Sequence, residues 1–218
     1  DLLVTALQLQ YSDFSIAEKV NSNILKLRDN NTFTVTTGHQ LCLFTGPLYF
    51  IYKIVDTINL ANKLCKNFPG YNFVPVYWMN SEDHDFEEIN HINLFGNKIS
   101  WNIKSEGPVG KIKTDSLKEV INDLKKIIGE SHEAKQLISI FEKGYLQHNN
   151  LASATRYIVN ELFGKYGLVV FNPDTKDLKR EFAFLMKDDI INKNNYELVN
   201  SAIDKLKSAG YHEQVNPR

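Results

Sequence analysis

Apolar residues recur at helical spacing from position 14 to 28 (Phe14, Ile16, Ala17, Val20, Ile24, Leu25, Leu27), which predicts an amphipathic helix with Ser12 or Asp13 as its cap. Asp29, Asn30 and Asn31 end it, because short polar side chains that bond their own backbone favour a turn. Residues 33–37 then read as a short strand, buried if it lies centrally in a sheet. Gly46-Pro47 punctuates the chain, with the proline suited to a first helical turn. A helix follows to about Lys63, with Leu48, Ile51, Ile54, Val55, Ile58 and Ala61 forming an apolar stripe. Residues 73–78 give a second strand. Strand, helix and strand in succession make a βαβ unit, so the two strands should be parallel with a right-handed crossover.

The character changes from Ile89. Residues 89–95 and 98–103, joined at Gly96-Asn97, read as a hairpin, and Gly107-Pro108 as another turn. Two amphipathic helices follow at 116–128 and 132–145, then a strong helix at 151–163 closed by Gly164. Gly167 opens a third strand at 168–171, parallel by the same logic, and Asn172-Pro173-Asp174 closes it. Residues 176–191 and 196–209 are two charge-rich helices. The expected layout is the first half of an α/β core in 1–89, an insertion in 90–148, a return to the core in 149–175 and the start of a helical appendage in 176–218. No internal repeat or low-complexity tract interrupts it. The chain opens Asp1-Leu2-Leu3 without an initiator methionine and stops abruptly after Pro217-Arg218, so we expect a piece of a longer protein.

Composition narrows the function classes. With 218 residues and 43% hydrophobic content, the chain can bury the core of one sizeable domain. A formal net charge of −1 and dispersed lysines give no electrostatic footprint for nucleic acid. No apolar run approaches the roughly 18 residues of a membrane span, and no signal-peptide pattern opens the chain. Cys42 and Cys65 make neither a metal-type pair nor a disulfide framework and read as thiols in a reducing cytoplasm. Cys42, close to the Gly-His turn, is either reactive or a buried filler, and the filler reading is the simpler.

Candidate chemistry concentrates after the strands. In an open parallel sheet, ligands bind beyond the carboxyl ends of the strands. Thr37-Gly38-His39-Gln40 occupies the first such end, where a glycine lets the backbone approach a ligand and a histidine can donate to an anion beside free helix amides. The bland alternative is a histidine that bonds its own turn. Tyr49 and Lys53 lie four apart and share a helix face, so Lys53 either neutralises a ligand's charge or is a solvated surface lysine. The acidic stretch Glu82-Asp83-His84-Asp85 follows the second strand. Adjacent residues point in different directions and cannot all reach one ion, so we expect no metal there and read Asp83 and His84 as substrate-binding. Glu87 and Glu88 read as a solvated face. Trp78 is a core residue or a stacking platform for a sugar or base. Arg156 is a carboxylate or phosphate clamp or an ordinary helix-surface charge, and Asn172 and Asp174 are ligand-side residues or turn formers.

Thr36-Thr37-Gly38-His39 is similar to the His-x-Gly-His signature of the class I synthetase and nucleotidyltransferase superfamily, with Thr36 in place of the first histidine. The longer strings are more specific. Thr36 to Gln40, Leu43-Phe44-Thr45-Gly46-Pro47-Leu48-Tyr49-Phe50-Ile51-Tyr52-Lys53, the stretch from Phe73 to Glu88, and the closing Ala209 to Arg218 together resemble the bacillithiol-biosynthesis cysteine-adding enzyme family, BshC. The resemblance implies a Rossmann-like core, insertions like the connective peptides of class I synthetases and a helical coiled-coil domain that mediates homodimer formation. It implies cytoplasmic ligase chemistry: addition of cysteine to the amino group of glucosaminyl-malate. Acylating an amine needs an activated carboxyl, so ATP with magnesium is the expected cofactor pair. His39 and Lys53 are then the expected catalytic residues, and Thr37, Gly38, Gln40, Tyr49, Trp78, Asp83, His84, Arg156 and Asn172 the expected binding residues. Two other classes stand beside this one: a nucleotide-binding regulatory or scaffold module without chemistry, and a metal-dependent hydrolase built on the acidic loop. A scaffold has no need for Gly-His-Gln and Asp-His-Asp at neighbouring strand ends, which favours the enzyme.

Overall fold

The computed structural model describes residues 1–12, 15–213 and 215, and it divides the chain into two compact units, 1–175 and 176–218. The first unit begins with α1 (Leu2–Gln10) and α2 (Glu18–Lys26), followed by β1 (Thr32–His39), α3 (Leu48–Asn67) and β2 (Asn72–Met79). Then come α4 (Phe86–Ile89), the hairpin β3 (His91–Leu94) and β4 (Asn97–Ser100), helices α5 (Leu117–Ile128), α6 (His132–Gln147) and α7 (Leu151–Phe163), and β5 (Val169–Phe171). The second unit holds α8 (Lys176–Glu181), α9 (Ala183–Asn192) and α10 (Asn194–Ser208). Fold class is α/β and Rossmann-like: β1, β2 and β5 form one parallel sheet in the order β1-β2-β5, and β3 and β4 pair antiparallel apart from it.

Several expectations need correction. The helix expected at 14–28 starts only at Glu18, with Ala17 as its cap residue. Ser12 instead donates its hydroxyl to Leu9 O and closes α1, while Asp13 and Phe14 lie outside the described residues. Helix α1 carries no helical stripe in its sequence, because LLVTALQLQ is apolar on nearly every side. The condition for burying the first strand is not met: among the described residues β1 lies at an edge of its sheet, and it runs on past the expected end through Gly38 and His39, of which only His39 is buried. In α3 the buried stripe is Phe50, Ile54, Thr57, Ile58 and Ala61, whereas Leu48 and Val55 are exposed. Phe182 breaks the helix expected at 176–191 into α8 and α9.

Strand register places the site. Thr37 lies beside Tyr77, Gly38 beside Trp78 and His39 beside Met79, so His39 and Tyr77 share one face of the sheet. Phe50 of α3 meets both, its ring 5.1 Å from His39 and 5.3 Å from Tyr77, so α3 covers that face. Parallel strands end on the same side, which brings the chain after His39, Met79 and Phe171 to one edge of the sheet.

Helices α6 and α7 pack tightly where Gly144 faces Ile158. A Cβ on Gly144 would lie 2.5 Å from Ile158 Cγ1 and 3.3 Å from Ala154 O. Gly144→Ala therefore overpacks this contact, and its denaturant midpoint should fall by an amount equivalent to about 1–3 kcal/mol. An unchanged midpoint would mean that the Ile158 side chain gives way without cost.

Candidate functional site

The three strand ends are tied together by hydrogen bonds. Tyr77 Oη, fully buried, donates to the main-chain oxygens of His39 (3.1 Å) and Gln40 (3.4 Å), and Asn80 N donates to His39 O (3.1 Å). At the β5 end, Gln10 of α1 grips the main chain of Asn172 twice, donating to its oxygen (2.7 Å) and accepting from its amide (3.0 Å). The Asn172 side-chain oxygen accepts from Ser81 Oγ (2.5 Å) and from Asp174 N (3.1 Å), which joins the β2 and β5 ends. The turn before α5 closes over this loop: Val109 N donates to Asp83 O (2.7 Å) and Gly110 N to Ser81 O (2.9 Å). A Cβ on Gly110 would stand 2.7 Å from Ser81 O, so only glycine admits that approach.

His39 sits differently from the expectation of a ring presented at a helix N-terminus. It is 6% exposed, stacked on Phe50, edge-on to Tyr49 at 5.0 Å, with Nε2 3.7 Å from Cys42 Sγ. Burial, followed by the nearby Lys53 charge, lowers its pKa to about 4, so the imidazole is neutral at pH 7. Lys53 reaches back along α3 and donates to Gly38 O (2.6 Å), and its Nζ lies 5.9 Å from the Tyr49 ring centroid. Tyr49 and Lys53 do share one helix face beside the strand end. Burial, then the Glu88 charge, pushes the Cys42 thiol up to about 11, so it stays protonated.

Gln40 is the centre of the polar cluster. Its Nε2 donates both to Asp83 Oδ2 (2.8 Å) and to Glu88 Oε2 (2.5 Å), which draws two carboxylates together across the β1 and β2 ends. Glu88 is exposed, but it belongs to this cluster rather than to a separate solvated face. The other Asp83 oxygen accepts from His84 N (2.7 Å) and Asp85 N (3.2 Å). The Gln40 amide first, then these two backbone amides, hold the Asp83 carboxyl below its usual range although burial opposes them. Asp85 caps α4 by accepting from Glu88 N (3.2 Å). The His84 side chain points to solvent, 3.8 Å from Asp83, at an open cleft shared with Lys104 and Glu106.

Of the remaining expected residues, Gly38 is exposed, and a Cβ there would meet only Asn80 Oδ1 at 3.7 Å and Trp78 O at 3.8 Å. Packing does not require glycine; its missing side chain leaves open space beside Trp78, which is 42% exposed and edge-on to Phe171. Thr37 is half-buried next to Tyr77. Arg156 is buried, not a surface charge, and its charge opposes the burial that raises Tyr11 to about 12. Asn172 is committed to the Ser81 and Gln10 contacts. Sequence reasoning missed Gln10, Ser81 and Tyr145, whose partners are distant in the chain, and Thr155, which lines a cavity together with Gln40 and Cys42. Among the described residues no group of three or more His, Cys, Asp or Glu could hold a metal ion, and no helix is long and apolar enough to cross a membrane.

Comparison with known proteins agrees with this architecture. All 218 residues match the family described as "Bacillithiol biosynthesis BshC, N-terminal Rossmann-like domain". A "Putative cysteine ligase BshC" of Flavobacterium psychrophilum is 52% identical over 217 residues, covering 100% of this chain and 40% of the relative. Proteins of the same name from Flavobacterium johnsoniae and Salinibacter ruber are 49% and 32% identical, each covering 99% of this chain and 40% and 41% of the relative. The chain thus spans about two fifths of the length of these curated relatives.

Proposed function

The chain belongs to the BshC family of bacillithiol biosynthesis, and from that premise we propose that the whole protein joins L-cysteine to the amino group of glucosaminyl-malate at the strand ends described above. The observation that carries the proposal is the Gln40 amide bridging Asp83 and Glu88. Two carboxylates drawn together at the end of a parallel sheet make a site for an ammonium or an attacking amine, and Gln40 fixes their spacing. Asp83, kept ionised by its hydrogen bonds, binds the cationic form; Glu88, more exposed, is free to take a proton as the amine becomes an amide.

Amide formation needs a carboxyl converted to an adenylate or acyl phosphate, and that is the chemistry ATP with magnesium would supply when bound. The residues fit such a ligand in part. Lys53 offers an ammonium at the strand end, Gly38 leaves room for an anion, and the exposed Trp78 indole flanks that space for a base or sugar. The malate carboxylates of the acceptor suit the same Lys53 charge. His39, neutral and buried, directly precedes Gln40, and its main-chain oxygen, held by Tyr77 and Asn80, fixes the end of the strand from which Gln40 projects. Dimer formation through a helical segment beyond residue 176 is part of the same proposal.

Gln40→Leu keeps the side-chain bulk and removes the shared donor. In the full-length protein it should lower kcat/KM for cysteine addition about 10- to 100-fold, roughly 1.4–2.7 kcal/mol. Wild-type kinetics in that variant would remove the bridge from the mechanism.

A further inference from the structure

The hydrogen-bonded cluster accounts for the carboxylate side of Gln40, but the same residue also lines a small cavity that the cluster does not use. Cys42, Phe50, Tyr145, Thr155 and Ile158 form its walls, and all five are buried or nearly so. Its free volume is about 10 Å³, the space of one water-sized group. Gln40 and Thr45 are the partly exposed residues of the lining, and Gln40 stands at the β1 end.

Two polar groups in this wall are fixed. Thr155 is only 6% exposed, and its Oγ1 has no hydrogen-bond partner. Tyr145 Oη accepts the Phe44 amide (3.0 Å) and keeps its own proton to donate. A buried hydroxyl without a partner is uncommon in a native fold and marks either a bound water or a ligand group. The rest of the wall is aromatic, aliphatic and sulfur. An ammonium or carboxylate placed here would be an unpaired buried charge. A thiol fits: it is small and polarizable, packs well against aromatic rings, and is both a weak donor and a weak acceptor for hydroxyls.

We propose that this cavity receives the thiol of the cysteine substrate, while its ammonium turns toward Asp83 and leaves Glu88 to the acceptor amine. The inference rests on the cysteine-ligase reading given above and names the part of the site that recognises sulfur. Gln40 then stands between the two halves of one amino acid.

The test uses full-length protein with cysteine, with 2-aminobutyrate (a methyl group in place of the thiol) and with serine. Wild type should prefer cysteine over both. Thr155→Val removes the hydroxyl at nearly constant shape and should reduce the preference for cysteine over 2-aminobutyrate about tenfold. Thr155→Ser, which keeps the hydroxyl, should restore it. Thr155→Leu fills the cavity and should raise the KM for cysteine about tenfold or more without changing the KM for glucosaminyl-malate. If Thr155→Leu does not fold, the valine and serine variants decide. Unchanged preference in Thr155→Val and Thr155→Leu would overturn the proposal and leave the cavity as a water site only. If wild type forms no product from cysteine, it is the ligase reading that fails. Titration calorimetry then tests the cavity alone: cysteine binding that exceeds alanine binding and drops in Thr155→Val supports it, and equal or absent binding overturns it.

Discussion

His39→Ala in the full-length protein should lower kcat/KM for cysteine addition by about 100-fold or more, roughly 3 kcal/mol of transition-state stabilisation. The ring fills the space among Phe50, Tyr49 and Cys42, and its own main-chain oxygen is held by Tyr77 and Asn80. Removing it leaves a void among those three side chains, at the residue that immediately precedes Gln40, so the backbone that carries the bridge to Asp83 and Glu88 should shift. The same void should destabilise the fold by about 2–4 kcal/mol, as for other large-to-small core changes. The two effects separate when activity is measured at a temperature where circular dichroism shows the variant fully folded. Wild-type turnover there would sink the role of His39 in placing the site.

A second large effect should appear on acidification. In the unfolded chain His39 titrates at about 6.5, whereas in the fold burial and Lys53 lower it to about 4. The unfolded state therefore takes up the proton first as pH falls. The stabilisation is fully present above about 6.5, declines between 6.5 and 4, and levels off below 4 as far as this group is concerned. The loss across that window should be on the order of 3 kcal/mol, read as a falling urea midpoint. His39→Phe should flatten this part of the profile, because a phenyl ring can stack on Phe50 and cannot titrate. Lys53→Met should narrow the window from below by letting the folded-state pKa rise. A pH profile of His39→Phe that matches wild type would show that other groups govern acid stability.

Much of the α/β plan was legible because period and punctuation agree with it. The β-branched run before Gly38, the Phe73–Trp78 run and the short apolar run ending at Phe171 are the three parallel strands; the hairpin is also there, although it turns at Phe95-Gly96, one residue before the expected Gly96-Asn97, and Asn97 pairs with Leu94. Resemblance in the strings around Gly38 and Asp83 pointed to the right family. What stayed hidden depends on contacts between distant residues. A Gly-His-Gln turn has the same local signature whether the histidine faces solvent or is tucked under Phe50, and only the α3 packing decides. Glu88 looks like a helix-surface acid until the turn after Asp83 brings it to Gln40. Gln10 and Asn172 are 162 positions apart, and Thr155 faces a wall built partly from the β1 end, so neither pattern nor spacing could pair them. The edge position of β1 was likewise invisible, since strand order follows from tertiary packing and not from the strand's own sequence.

We propose that these strand ends belong to a ligase that acylates an amine with cysteine. It is tested most directly by mass spectrometry of full-length protein mixed with cysteine and glucosaminyl-malate, with and without ATP and magnesium. The cysteinyl amide should form only when ATP and magnesium are present, with yield falling in Gln40→Leu and His39→Ala. No amide under any of these conditions from folded protein would contradict the proposal.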